Sequence, residues 1–392
     1  MERYKNIESI NEVNKVLENL QELYTKKDEG KIEDFVKNGF SLKKGFATIG
    51  SGLNQWCSNS DDIKELIKFH FDNENNCWRE IDFKFGEAKI FANKNVAWVV
   101  SIGKISNTLS EEGQIEETIS KVKDILEGEE KSKENVLDAA RKIARTLREI
   151  EKGENYVWPF RFTCVLIKEN DTWRFHQMQF SLDSESFSYR FTEDNYDKSI
   201  FEMSKANSNG EIEEIKKVLQ VFQDGYTKRN LDCVDEYMKE VFLLHEDLVV
   251  IGTDAEELCL GIDATRGIVE SDWKYWGDFK MNVEDAIICV NGDVAYFTTK
   301  AILNRIISNE KILQWISGST KDTFETEETP KNKLMEVLWD TLDLLYENEK
   351  GEAYITPMRF SGVLVKEHGR WLIQHAQYSD YSDGIPGVRI KE

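Results

Sequence analysis

Arg161 and Arg359 each stand inside an otherwise apolar stretch, Pro159–Leu166 and Pro357–Leu364. A guanidinium there either clamps a ligand carboxylate or phosphate with two parallel hydrogen bonds or pairs with a buried acid. The acid pair is the expected arrangement, with Glu80 or Asp278 as partner. Near the C-terminus, strand alternation puts Trp371, Ile373, His375 and Gln377 on one face and Leu372, Gln374, Ala376 and Tyr378 on the other. The stretch Thr172–Leu182 splits likewise into Trp173, Phe175, Gln177, Gln179 and Arg174, His176, Met178, Phe180. His375 is either a polar handle of a pocket or a hydrogen-bonded sheet residue. The five histidines show no HExxH and no Cys/His cluster, so no metal site is expected. No cofactor is expected either, because neither GxGxxG nor a P-loop occurs. Gly50-Ser51-Gly52 is too short for a nucleophile elbow. Glu111–Glu117 and Glu325–Glu328 lack calcium-loop spacing and read as solvated charge.

The elements that position these residues occur twice. Tyr24-Thr25-Lys26 returns 202 residues later as Tyr226-Thr227-Lys228, and Ile49-Gly50, Cys57 and Asp61 return as Ile251-Gly252, Cys259 and Asp263. The offset then shortens to 198: Trp78, Tyr156, Pro159, Arg161-Phe162, Trp173, Gln179 and Ser181 match Trp276, Tyr354, Pro357, Arg359-Phe360, Trp371, Gln377 and Ser379. The reading is two homologous domains, 1–190 and 210–392, joined by a polar linker, 191–209. Each opens with an amphipathic helix, Val13, Val16, Leu17, Leu20 and Tyr24 forming the first stripe. A short helix, a strand ending at Ile49 or Ile251, and a helix capped by Asp61 or Asp263 follow. The rest reads as strands Trp78–Phe85, Lys89–Phe91, Val96–Ile105, Phe160–Lys168 and Thr172–Leu182. A charged stretch and an amphipathic helix interrupt them, Val136–Ile150 or Leu334–Tyr346, the latter expected to bury Leu338, Trp339, Leu342 and Leu345.

The 392 residues carry 51 Lys and Arg against 73 Asp and Glu, a net charge of −22, which argues against nucleic acid or an anionic membrane as partner. Four prolines exclude Pro-rich linkers. The polar N-terminus lacks a signal-peptide core, and no run is long enough to span a membrane, so a cytoplasmic location is expected. The six cysteines, without a CxxC pair, are expected as reduced, buried thiols.

Helices followed by a curved antiparallel sheet describe an α+β cone, here two in tandem with a helical insertion in each. The pattern resembles the nuclear transport factor 2-like superfamily, in its SnoaL-like, ketosteroid-isomerase-like branch. Three stretches carry the resemblance: the helix ending Tyr24–Asp28 or Tyr226–Asn230, the segment Ile251-Gly252-Thr253 with Glu257 and Gly261-Ile262-Asp263, and the closing hairpin Arg359–Val365 and Arg370–Gln377. The insertions, near Asn107–Glu134 and Arg305–Asn332, depart from the family's short hairpin.

The resemblance implies a pocket on the concave face. Its lining would be His375 and Gln377 with Tyr226, Trp273, Trp276 and Arg359, and in the first copy Tyr24, Trp78, Arg161, Gln177 and Gln179. An isomerase-like reaction would need a carboxylate base, for which Asp254 and Asp278 are nearest, with Tyr226 or His375 assisting. Three functions follow: binding of a small apolar or amphipathic molecule, which is favoured; an isomerase, cyclase or dehydratase; or an interaction scaffold. Sheets of this superfamily commonly dimerise, so the copies are expected to pair as an intramolecular pseudo-dimer, or two chains as a homodimer.

Overall fold

A computed structural model describes residues 1–72, 78–128, 132–184, 190–191, 210–255, 257–382 and 388–389. Cys77, most of the expected linker and the other omitted positions lie outside it. The chain forms two α+β cones in tandem. The first runs α1 (Ile7–Lys26), α2 (Ile32–Gly39), β1 (Ala47–Ile49), β2 (Trp56–Cys57), α3 (Ser60–Phe71), β3 (Glu80–Asp82), β4 (Lys89–Ala92), β5 (Val96–Thr108), α4 (Glu111–Glu127), α5 (Lys133–Glu151), β6 (Asn155–Glu169) and β7 (Thr172–Leu182). The second repeats this order as α6 (Gly210–Lys228), α7 (Val234–Val241), β8 (Val249–Ile251), β9 (Leu258–Leu260), α8 (Gly261–Tyr275), β10 (Asp278–Met281), β11 (Ile287–Asn291), β12 (Val294–Ile306), α9 (Asn309–Glu325), α10 (Pro330–Glu349), β13 (Ala353–Glu367) and β14 (Arg370–Asp380).

Each sheet has seven strands. The orders are β2-β1-β7-β6-β5-β3 with β4 also on β5, and β10-β12-β13-β14-β8-β9 with β11 on β12. Pairing is antiparallel except β1 on β7 and β8 on β14. The hairpin turns Asn170-Asp171 and His368-Gly369 place both residues at positive φ, the twist that two-residue hairpins require. The helical stripe falls where expected: Val13, Leu17, Leu20 and Tyr24 are buried in the core between α1 and the sheet. Several local expectations change. Asn59, not Asp61, caps α3, its side chain accepting from the amides of Asp61 and Asp62. Helix α8 begins after Leu260 without a side-chain cap, so Asp263 lies in its first turn. Trp78 precedes the short β3 rather than opening a long strand.

The charged stretches before the inserted helices are themselves helices, α4 and α9. Helix α4 buries no residue, so hydrophobic patterning gave little sign of it. Helix α10 buries Trp339 but also Asp343 and Glu347, while Leu338 is exposed. The acids are buried because cations meet them: Arg141 lies 3.0 Å from Asp343, and Lys350 lies 2.9 Å from Glu347. Helices α5 and α10 pack on each other, joined by Lys133–Glu349 and the equivalent Lys331–Glu151. No helix among the described residues is long and apolar enough to cross a membrane.

The sheet faces turned away from the helices pack against each other. Val96, Trp98 and Val165 from one sheet meet Val294, Tyr296, Val363 and Val365 from the other. Polar bonds cross this seam in reciprocal pairs. Gln179 donates to Ser379 and Gln377 to Ser181, both at 2.8 Å, while Ser361 and Thr163 donate to the oxygens of Gln179 and Gln377. Trp98 Nε1 donates to Gln374 at 2.6 Å. At the equivalent place Tyr296 donates to His176 Nδ1 at 2.8 Å.

Candidate functional site

The face assignment of the last strand is overturned by a β-bulge. Val363 pairs with His375 but Leu364 with Ile373, which leaves Gln374 as the extra residue. One extra residue exchanges the two faces of everything beyond it. Trp371 and Ile373 therefore lie in the cone with Ala376 and Tyr378, whereas His375 and Gln377 face the seam. The first sheet has the same bulge at His176, since Val165 pairs with Gln177 and Leu166 with Phe175. Gln177 and Gln179 accordingly leave the cone, and Met178 and Phe180 enter it.

The arginines also belong to the seam. Arg161 donates to the carbonyls of Gly252 (2.6 Å), Thr253 (3.2 Å) and Asp254, and lies 2.7 Å from Asp183. Arg359 donates to the carbonyls of Gly50 and Asp380 and stacks on Tyr381. The expected partners are elsewhere: Glu80 is exposed, and Asp278 receives Thr227 Oγ1 at 3.0 Å and Lys280 at 2.8 Å on an edge strand. Asp254 stands at the rim, where burial and the neighbouring Glu257 carboxylate push its carboxyl up to about 6. Neither candidate base reaches the cone.

Tyr226, Trp273 and Trp276 do line the second cone, and two residues that sequence reasoning missed join them. Tyr378 donates to the Tyr226 hydroxyl at 3.0 Å, and Tyr226 donates to Asp272 Oδ2 at 2.8 Å. Tyr226 and Tyr378 are 1% exposed and Asp272 6%. Burial raises Asp272 well above the usual carboxylate range and raises both phenols. Two phenols thus run in series onto a carboxyl whose ionisation burial disfavours. Phe222, Phe279 and Phe360 wall it, and the half-buried Trp276 sets its edge against Tyr378, ring centres 5.3 Å apart. Each phenol O–H is spent on its neighbour, so the carboxyl of Asp272 is the end of the series at which a ligand's polar group would bond.

The first cone differs. His70 takes the place of Asp272, and Phe180 that of Tyr378. Tyr24 bonds His70 Nδ1 at 2.9 Å, and Trp78 stacks on the imidazole, ring centres 4.3 Å apart. Burial pushes His70 down to about 3, so the ring is neutral. Tyr24/His70 and Tyr226/Asp272 share the 202 offset, a recurrence that the shorter offset of the later residues conceals.

Cavities lined by described residues lie in several places. One of about 20 Å³ lies in the seam, one of about 250 Å³ between the inserted helices at Arg148 and Lys333, and an open one of about 570 Å³ beside Gln21 and Asp82. None is lined by the Tyr226–Asp272 pair. A His-acid group, His245, Glu246 and Asp247, brings potential ligand atoms together, but Lys5 already meets Asp247 at 3.0 Å. Of the described cysteines, Cys57, Cys164 and Cys259 are buried as expected, Cys289 partly so, and Cys233 is exposed.

The SnoaL-like domain family model matches residues 215–314, from α6 into α9. No curated protein matches. Among solved structures, the chain is similar to a nuclear transport factor 2-like superfamily protein from Salmonella enterica (13% identity, 44% of this chain and 92% of that one, TM-score 0.29). It is also similar to a ketosteroid isomerase-like protein from Erwinia carotovora (12%, 45% and 100%, TM-score 0.28) and to an NTF2-like protein of unknown function from Shewanella oneidensis (15%, 43% and 98%, TM-score 0.26). The resemblance read from the sequence, to SnoaL-like and nuclear transport factor 2-like domains, stands.

Proposed function

We propose that this chain is a binding protein whose second cone takes one small amphipathic molecule by a polar group directed at Asp272, the end of the series that Tyr378 and Tyr226 feed. The observation that carries the reading is a buried carboxyl fed by two phenols inside an aromatic wall. Burying three polar groups costs stability unless they are bonded, and here they are bonded in one direction, toward the acid. The Trp276 indole lies over the phenols, so entry requires that side chain to swing outward. An isomerase or dehydratase reaction in the same cone is less favoured, because Asp254 and Asp278 stand outside it and supply no base.

A scaffold is the second reading, supported by the reciprocal bonds across the seam and the dense aromatic filling of both cones. On it, the halves 1–190 and 210–392 form an intramolecular pseudo-dimer and no ligand enters. Thermal-shift screening of the intact protein with cyclic ketones and aromatic phenols separates the two. Binding predicts stabilisation by members of the panel that is lost in Asp272→Asn. A flat response across the panel would reject binding and leave the scaffold.

A further inference from the structure

Beyond its last strand, each half crosses to the other. After β7 the Ser184 amide donates to Thr253 O, and after β14 the Ser382 amide donates to Ser51 O, both at 3.0 Å. By the repeat, Ser184 corresponds to Ser382 and Ser51 to Thr253. Each crossing leads to an arginine, Arg190 or Arg389, which docks where the inserted helix of the opposite half ends. Arg190 lies over the Tyr354 ring, 3.6 Å from its centre, and 3.4 Å from the Glu347 carboxylate. Arg389 lies over the Tyr156 ring at 3.8 Å and 3.8 Å from Glu149. Glu149 and Tyr156 are the counterparts of Glu347 and Tyr354. The two halves thus hold each other by the same device.

The socket for Arg389 is built mostly of backbone. Helix α5 ends at Glu151, and its final carbonyls carry the negative end of the helix dipole. Gly153 follows at φ +94°, the left-handed turn that closes a helix. Four carbonyls converge there on one guanidinium. Nη1 of Arg389 donates to Glu149 O at 3.1 Å, and Nη2 to the carbonyls of Lys152, Gly153 and Asn155 at 3.2, 2.8 and 2.5 Å. The Glu149 carboxylate is closer to Lys152, at 2.9 Å, so the carbonyls are the main acceptors. The Arg389 side chain is only 5% exposed. Such a site asks for a planar group that donates from its edge while its face stacks on a ring. A guanidinium meets both demands, whereas a lysine ammonium has three donors and no face.

We propose that the end of α5 is an arginine-recognition site, filled in cis by Arg389, whose ligand class is an alkylguanidinium carried on a peptide. Through it the second half fastens itself to the first, and Arg190 fastens the first to the second at the end of α10. When the side chain of Arg389 is removed, the carbonyls and the Tyr156 ring take an arginine supplied from outside.

Titration of the full-length Arg389→Ala protein with acetyl-Val-Arg-Ile-amide, the sequence of residues 388–390, tests this, with acetyl-Val-Lys-Ile-amide as the control. The peptides are used at millimolar concentration, the range that a short tether supplies. Calorimetry should find one site for the arginine peptide and binding of the lysine peptide at least about tenfold weaker. The wild type, whose site is filled, should bind neither. The arginine peptide should also raise the melting temperature of the variant and leave that of the wild type unchanged. If Arg389→Ala does not fold, Arg389→Lys, which keeps the charge and most of the stem, gives the same readout. No binding to the folded variant, equal affinity for the two peptides, or equal binding to variant and wild type would overturn the proposal.

Discussion

Asp272, Tyr226 and Tyr378 differ from ordinary core polar groups in how completely they are buried and in the direction of their bonds. Tyr378→Phe removes the first donor and leaves the others paired, so it should cost only about 1 kcal/mol of stability. Its effect on binding should be larger, at least several-fold in affinity by calorimetry. Equal affinity in the variant would show that Tyr378 serves packing alone. The buried histidines make a separate, pH-dependent prediction. His375 is held neutral to about 4 against an ordinary 6.5. Its stabilisation is complete above pH 6.5 and declines as pH falls toward 4, because the unfolded chain takes up a proton that the folded chain refuses. Asp272 and Asp183 act with the opposite sign, their raised carboxyls favouring the folded state as pH falls. The useful quantity is therefore a difference: urea unfolding from pH 7.5 to 4.5 should decline more steeply in the wild type than in His375→Gln. Parallel curves would mean that His375 titrates normally.

At the scale of elements, β14 shows what the sequence holds and what it hides. The helices with a clear apolar stripe, the long strands and their turns were legible, since 3.6- and 2-residue periods and turn residues are local properties. The bulge at Gln374 was not. It is set by how β13 and β14 dock, and nothing in Trp371–Gln377 departs from plain alternation. That single residue moved His375 and Gln377 from the expected pocket to the seam, and brought Tyr378 into the cone. Asp272 was hidden for another reason: an acid on a helix reads as solvent-facing until the fold sets it beside Tyr226. The bulge has its own requirement at Gly362, where a Cβ would come within 2.4 Å of the His375 carbonyl oxygen. Gly362→Ala should destabilise the protein by about 1–3 kcal/mol in chemical denaturation, as overpacking does. A neutral result would show that the bulge relaxes freely. In the insertions, Trp339→Ala should cost about 3–5 kcal/mol. Breaking the exposed Lys133–Glu349 pair by Lys133→Ala should cost at most about 1 kcal/mol.

For the whole molecule, two architecturally equal halves have become chemically unequal. The seam ties them through buried arginines and reciprocal glutamine–serine bonds, so unfolding by calorimetry should be one cooperative transition, and two resolved transitions would show that the cones are independent. The second cone carries two phenols bonded in series onto a buried acid; the first has His70 stacked on Trp78, with Phe180 where the other has Tyr378. The charge of −22 and the shared architecture say nothing of this difference, which rests on a few residues that differ between the halves. It makes stoichiometry the most direct test of the central claim. Isothermal titration of the intact chain with a phenol or ketone that raises its melting temperature should give one site per chain, weakened at least tenfold in Asp272→Asn. Two equivalent sites, or affinity unchanged in that variant, would contradict it.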